Sequence, residues 1–140
     1  MMKNIVFCIL SLLLLFTGCE GGKVGLKGKI VFSDDGSPLP IGTVCFESDN
    51  YLSRGHLKPD GTFAVGSLKQ TDGFPSGTYR VYVTGATKVV GQDQEGNDLY
   101  EPLINEKFFS GKTSGLTIDV TPSTQYFEVV VDRYQPKKKK

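Results

Sequence analysis

Residues Thr78 to Thr84 alternate without a break. Tyr79, Val81 and Val83 share one parity; Thr78, Arg80, Tyr82 and Thr84 share the other. A period of two suits a strand with one buried face, whereas a helix would scatter the same residues around its axis. The pattern recurs along the chain. Val24, Leu26, Ile30 and Phe32 share a parity with Gly28, and Val44 and Phe46 oppose Thr43, Cys45 and Glu47. Phe63 and Val65 point inward in a short segment; Leu116, Ile118 and Val120 alternate with Thr117 and Asp119; Phe127, Val129 and Val131 close the series. The stretch from Tyr51 to Leu57 is a weaker strand. About seven short strands with regular turn signals, and no amphipathic helix, predict an all-β fold: a single antiparallel seven-stranded β-sandwich. No 20–50-residue repeat of the kind that marks a propeller or solenoid is visible.

The punctuation between strands has its own chemistry. Ser33-Asp34-Asp35-Gly36-Ser37-Pro38 is a turn sequence. In Lys58-Pro59-Asp60-Gly61, proline presets φ, aspartate caps locally and glycine closes the turn. Gly73 to Gly77 is another break. Gly85 to Phe109 is the long irregular stretch, within which Lys88-Val89-Val90 and Leu99-Tyr100 can pair as a short hairpin. Its polar tip holds Asp93, Glu95, Asn97 and Asp98, which have two readings. They are a solvated hairpin end, or oxygen ligands for calcium, although Gly96 breaks the spacing of an EF-hand loop.

The first residues read differently. Met1-Met2-Lys3-Asn4 is short and carries one positive charge, and Ile5 to Phe16 is apolar except for Ser11. That is the layout of an export leader, shorter than the ~20 residues a spanning helix needs. Leu12-Leu13-Leu14-Leu15-Phe16-Thr17-Gly18-Cys19 resembles a bacterial lipoprotein signal, in which the cysteine becomes the lipidated first residue. A thiol suits that attachment because sulfur is a strong nucleophile. Two or more acyl chains, at ~0.8 kcal/mol per buried methylene, hold a protein stably at a membrane. The expected organisation is a leader at 1–18, a lipidated Cys19 with a short glycine-containing linker at 19–23, a sandwich at 24–134, and a disordered basic tail at 135–140. The expected location is the extracytoplasmic side of the cell envelope.

Composition narrows the partners. The net charge is +1, and it falls to zero when Lys3 leaves with the leader. A neutral balance gives no reason to propose nucleic acid. Of three cysteines, Cys8 leaves with the leader and Cys19 takes lipid, so only Cys45 remains and no intrachain disulfide can form. Cys45 lies opposite Val44 and Phe46, either covered by a neighbouring loop or accessible for an intermolecular disulfide. Lys137 to Lys140 reads as a solvated end, with attraction to anionic headgroups as the alternative.

Several segments in order resemble carboxypeptidase-regulatory-like domains. Gly28-Lys29-Ile30-Val31-Phe32, Asp35-Gly36-Ser37-Pro38-Leu39-Pro40 and Val44-Cys45-Phe46 match their opening. Asp60-Gly61-Thr62-Phe63 matches the Asp-Gly-x-Phe step, and Pro75-Ser76-Gly77-Thr78-Tyr79-Arg80-Val81 the Pro-x-Gly-x-Tyr-x-Val step. Ile104-Asn105-Glu106-Lys107-Phe108 and Thr113-Ser114-Gly115-Leu116-Thr117 resemble a subgroup of small bacterial lipoproteins carrying this domain. The resemblance implies a transthyretin-like (prealbumin-like) sandwich that acts as scaffold, interaction module or spacer, without catalysis or cofactor.

The residues offer no catalytic set of their own. His56 is the single histidine and stands beside a turn, where it builds neither a triad nor a zinc site alone. No Gly-x-Ser-x-Gly elbow is present. The enzymes that share the transthyretin-like fold, the hydroxyisourate hydrolases, end in Tyr-Arg-Gly-Ser, whereas this chain reads Tyr134-Gln135-Pro136. Two function classes follow. One is a non-catalytic, membrane-anchored structural or interaction module with an envelope protein as partner. The other is a lipoprotein that binds a glycan or small solute, with Tyr82, Tyr100, Phe108 and Phe109 as candidate contacts.

Overall fold

The computed structural model describes residues 25–65, 73 and 75–138. The expected leader, Cys19 and the expected linker lie outside the described residues, as do Lys139 and Lys140. The strands are β1 (Leu26–Phe32), β2 (Thr43–Glu47), β3 (Leu52–His56), β4 (Thr62–Val65) and β5 (Gly77–Thr84), followed by β6 (Thr87–Gln92), β7 (Asp98–Pro102), β8 (Leu116–Val120) and β9 (Tyr126–Val131). One 3-10 turn, Glu106–Phe109, sits between β7 and β8.

The architecture is all-β in three sheets. One has the order β4-β1-β9, a second β3-β2-β5-β8, and the third is the two-stranded ribbon β6-β7. The first two share one core. Leu26, Ile30, Phe32, Phe63, Val65, Val129 and Val131 from one meet Val44, Phe46, Tyr79, Val81, Val83, Ile118 and Val120 from the other. Burial alternates along β1, β4 and β5 as their sequence parity requires.

Two expectations need correction. The described residues form nine strands rather than seven, because the long irregular stretch contributes a ribbon outside the two facing sheets. Nor is the pairing purely antiparallel: β1 and β9 run parallel, from Lys27 opposite Tyr126 to Phe32 opposite Val131. Alternation is blind to this, since a side-chain period of two is common to both ladder types. The cause is the connection after β8. It carries the chain out of the four-stranded sheet and into the other, so β9 is not obliged to return beside its predecessor as a hairpin would.

Close packing explains one mid-strand glycine. A Cβ on Gly28 would overlap the Phe127 carbonyl oxygen and the Phe63 ring. The Phe63 ring occupies that slot and sits 6.0 Å from the Phe46 ring, with Phe127 edge-on to Phe46 at 6.4 Å. At the β3–β4 turn, Gly61 takes a φ of 78° and its amide donates to the Lys58 carbonyl at 2.8 Å. Asp60 Oδ1 accepts from the Thr62 amide and hydroxyl at 3.0 and 2.6 Å, which holds its carboxyl below the usual range.

Candidate interaction surface

The two ends of the facing sheets differ. At one end the described chain begins at Gly25, and Leu26 pairs with Val65 while Lys27 pairs with Tyr126. At the other, β1 ends in Phe32, β9 in Val131 and β5 in Thr84, and the β6-β7 ribbon departs after Gly85 and Ala86. The ribbon therefore stands at the pole opposite the one where the described chain begins.

The ribbon's base is fixed to the body. Ala86 is fully buried, and its carbonyl accepts from the Leu103 amide at 2.9 Å. Lys88 Nζ lies 3.0 Å from Glu101 Oε2 across the strands. A cleft of about 210 Å³ runs between Lys88 and Glu101 on the ribbon and Arg133, Tyr134 and Pro136 of the C-terminal segment. Above the base the register slips between Val89 and Gly91, leaving Val90 as the extra residue of a bulge. The tip closes with Gly96 at φ 85°, its amide donating to the Asp93 carbonyl at 3.1 Å. A type I turn followed by a left-handed glycine is a common way to close a hairpin of this loop length.

Of the eight large apolar residues exposed among the described ones, four are on this ribbon: Val89 and Val90 at 54%, Leu99 at 47% and Tyr100 at 63%. Val89 stands directly opposite Tyr100. The same segment carries four acids, Asp93, Glu95, Asp98 and Glu101, against one lysine. It is both apolar and acidic, in a chain of net charge +1.

The pole beneath the ribbon is held by ion pairs. Arg133 Nε donates to Asp34 Oδ2 at 2.8 Å, and its Nη2 reaches Asp35 Oδ1 at 3.1 Å and Ser37 Oγ at 3.1 Å. The guanidinium lies 3.7 Å from the Phe32 ring centroid, a cation–π stack. Lys107 Nζ and Ser33 Oγ each donate to Asp132 at 2.8 Å. Hydrogen bonds from Ser37, then the Arg133 charge, bring Asp35 down to about 2, and Lys107 and Ser33 likewise hold Asp132 low. The network ties the turn after β1 to the residues after β9. The turn at Asp34-Asp35 is legible in the sequence and the role of Arg133 is not, because the parity of a strand's last residues does not say which loop they will meet.

The candidate site residues are not brought together. Phe108 is 4% exposed and belongs to the core, so its role as a solute contact is withdrawn. The 3-10 turn drives it inward, with the Asn105 side chain accepting from the Lys107 amide at the turn's start. Phe109 is half-buried against the same core. Tyr82 sits half-buried on the outer face of β5, where Gly111 of the following loop approaches its ring. Tyr100 is on a different sheet altogether. None of the four lines the larger cavity, about 510 Å³, between Leu26, Val65 and Tyr126 at the opposite pole.

Two of the tip carboxylates are engaged in the turn itself. The Asp93 carboxylate accepts from the amides of Glu95 and Asn97, both at 2.9 Å, and from Asn97 Nδ2 at 3.0 Å. These bonds hold it below the usual carboxylate range. Asp98 Oδ1 accepts from Gln92 Nε2 at 3.0 Å. No group of three or more acidic, histidine or cysteine side chains suited to a metal occurs among the described residues. The Asp93 carboxylate is thus engaged in an Asx-type turn that shapes the hairpin tip.

Cys45 is buried at 3% exposure, between Arg54 and Tyr82 in register. Burial pushes its thiol up, away from the reactive thiolate. That removes the reading of an accessible thiol poised for an intermolecular disulfide. His56, at the exposed edge of β3, shares a 3.0 Å hydrogen bond between its Nδ1 and Thr43 Oγ1.

No protein-family model matches the chain, and no curated protein matches it. Two solved structures are similar. One is BcpA*(D312A), the major pilin subunit of Bacillus cereus, at 9% identity and a TM-score of 0.48, covering 81% of this chain and 30% of the pilin. The other is a 9R-lipoxygenase from Cyanothece PCC8801, at 20% identity and a TM-score of 0.41, covering 83% of this chain and 18% of the lipoxygenase. The chain thus spans less than a third of either protein's length.

Proposed function

We propose that this chain is a non-catalytic, lipid-anchored module of the cell envelope. Its body is of the carboxypeptidase-regulatory-like, transthyretin-like class, and its job is to hold an interaction surface away from a membrane. The observation that carries the reading is polarity. Residues 1–18, read as a leader, and Cys19 precede the body in sequence, and the exposed apolar ribbon stands at the pole opposite Gly25. An anchor at Cys19 then places the membrane at one end and leaves Val89, Val90, Leu99 and Tyr100 free at the other. Solute binding is not proposed, since Phe108 packs in the core and Tyr82 and Tyr100 belong to different sheets.

The test is incorporation of an alkynyl fatty acid by the full chain in its native host. The wild-type protein is expected to carry the label and to partition with the envelope, and Cys19→Ser is expected to lose both. An unlabelled protein of mass beginning at Met1, recovered from the soluble fraction, overturns the reading.

A further inference from the structure

We infer that the β6-β7 ribbon is a self-association surface, and that its occupant is a second copy of this chain packed antiparallel along β6. The ribbon is incomplete as it stands. Two strands alone are marginal in water, and both outer edges of this pair are unpaired in the sheet order. Its large apolar side chains face solvent on both strands. The β6 edge also lacks a strong guard against pairing. Thr87-Lys88-Val89-Val90-Gly91-Gln92 has one charge, Lys88, which is already engaged by Glu101. Charged residues pointing from an edge are the usual defence against strand addition.

Charge selects the second copy and its direction. Asp93, Glu95 and Asp98 crowd the tip, while at the base the cleft containing Pro136 leads directly into the exposed Lys137 and Lys138. A strand of this length reaches about 20 Å from base to tip. An antiparallel two-fold arrangement therefore sets the acidic tip of each copy beside Lys137 and Lys138 of the other, and places Val89 of each copy opposite Val90 of the other. The parallel alternative sets tip against tip and is opposed by like charge. β7 is the worse edge for the same reason, since its own pairing would bring Asp98 and Glu101 of two copies together. An anionic bilayer is a poor occupant, because the ribbon is acidic. The contact is isologous, the commonest kind among homo-oligomers, and closes at two copies. A patch of this size gives a weak dimer.

The test places p-benzoylphenylalanine at Val90 in the full chain and irradiates intact cells. Val90 is exposed and belongs neither to the core nor to the residues packed against it, so the substitution is expected to leave the body folded. The expected product is a species of twice the monomer mass, containing peptides of this chain alone. Its yield is expected to fall several-fold when Lys137 and Lys138 are replaced by glutamine, and again in Val90-labelled chains that also carry Val89→Asp. A product with a different protein or with lipid, or no product at all, overturns the inference. So does a self-product whose yield ignores both substitutions. The same measurement on Cys19→Ser separates this inference from the anchoring proposal. A labelled wild-type protein that never self-links defeats only the dimer, and a self-linked protein that carries no lipid defeats only the anchor.

Discussion

The two facing sheets and the ribbon are built from the same strand grammar and differ in what enforces it. In the body, Tyr79, Val81 and Val83 of β5 are buried, and Gly28, Phe46, Phe63 and Phe127 interlock. In the ribbon, β6 is exposed along nearly its whole length, and order comes from the Asp93 turn, one ion pair and the Ala86 anchor. Valine and tyrosine in the body are explained by the core they fill. The same residue types on the ribbon fill no core, and that difference is the ground for the contact proposed above.

The largest contrast is expected from truncating one aromatic side chain in each region. Phe46 is fully buried beside Phe63 and Phe127, so Phe46→Ala is expected to cost about 4 kcal/mol in denaturant unfolding. Tyr100→Ala is expected to change stability by less than about 0.5 kcal/mol. An equal loss at both sites would mean that the ribbon is part of the cooperative core.

A smaller contrast comes from two glycines. At Gly28 a new methyl meets the Phe127 carbonyl and the Phe63 ring, whereas at Gly91 nothing lies within 4 Å. Gly28→Ala is expected to destabilise by about 2–3 kcal/mol, as overpacking of a tight site does. Gly91→Ala is expected to be within about 0.5 kcal/mol of wild type. Thermal melts of the two variants beside wild type decide the point.

The same division governs what could be read from the sequence. The inward faces of β1, β4 and β5 were legible because burial on one side imposes a parity. The Lys58–Gly61 turn was legible because proline, aspartate and glycine each have a conformational reason to be there. The β1–β9 parallel pair was not, since parity carries no direction. Phe108 was misread because a 3-10 turn of four residues has no period long enough to show which side chain turns inward. The ribbon was visible as a hairpin, yet its exposure was not. Val89-Val90 and Leu99-Tyr100 look like core residues until the two sheets close without them. Arg133 illustrates the remaining gap: its value lies in meeting Asp34 and Asp35, about a hundred residues earlier, and only tertiary structure brings them together.

The smallest expected effect is on acid stability, and it separates the poles of the molecule by charge. Asp35 has a folded-state pKa of about 2 against an ordinary value near 3.9. Its carboxylate form is favoured by folding, through Ser37 first and Arg133 after it. The stabilisation is therefore complete above about pH 4 and is lost as pH falls toward 2. Asp132 shifts the same way through Lys107 and Ser33, so both halves of the ion-pair network let go together. A melting temperature that declines between pH 4 and pH 2 is expected, and Asp35→Asn should flatten part of that decline. Asp93 is also held low, but by bonds confined to the hairpin turn. Asp93→Asn should leave the acid limb of the main unfolding transition where it was, because the body can unfold or persist without reference to the tip. If Asp93→Asn moved that limb as far as Asp35→Asn, the ribbon and the sheets would be one cooperative unit, and the ribbon's exposed valines would need a structural explanation instead of a partner.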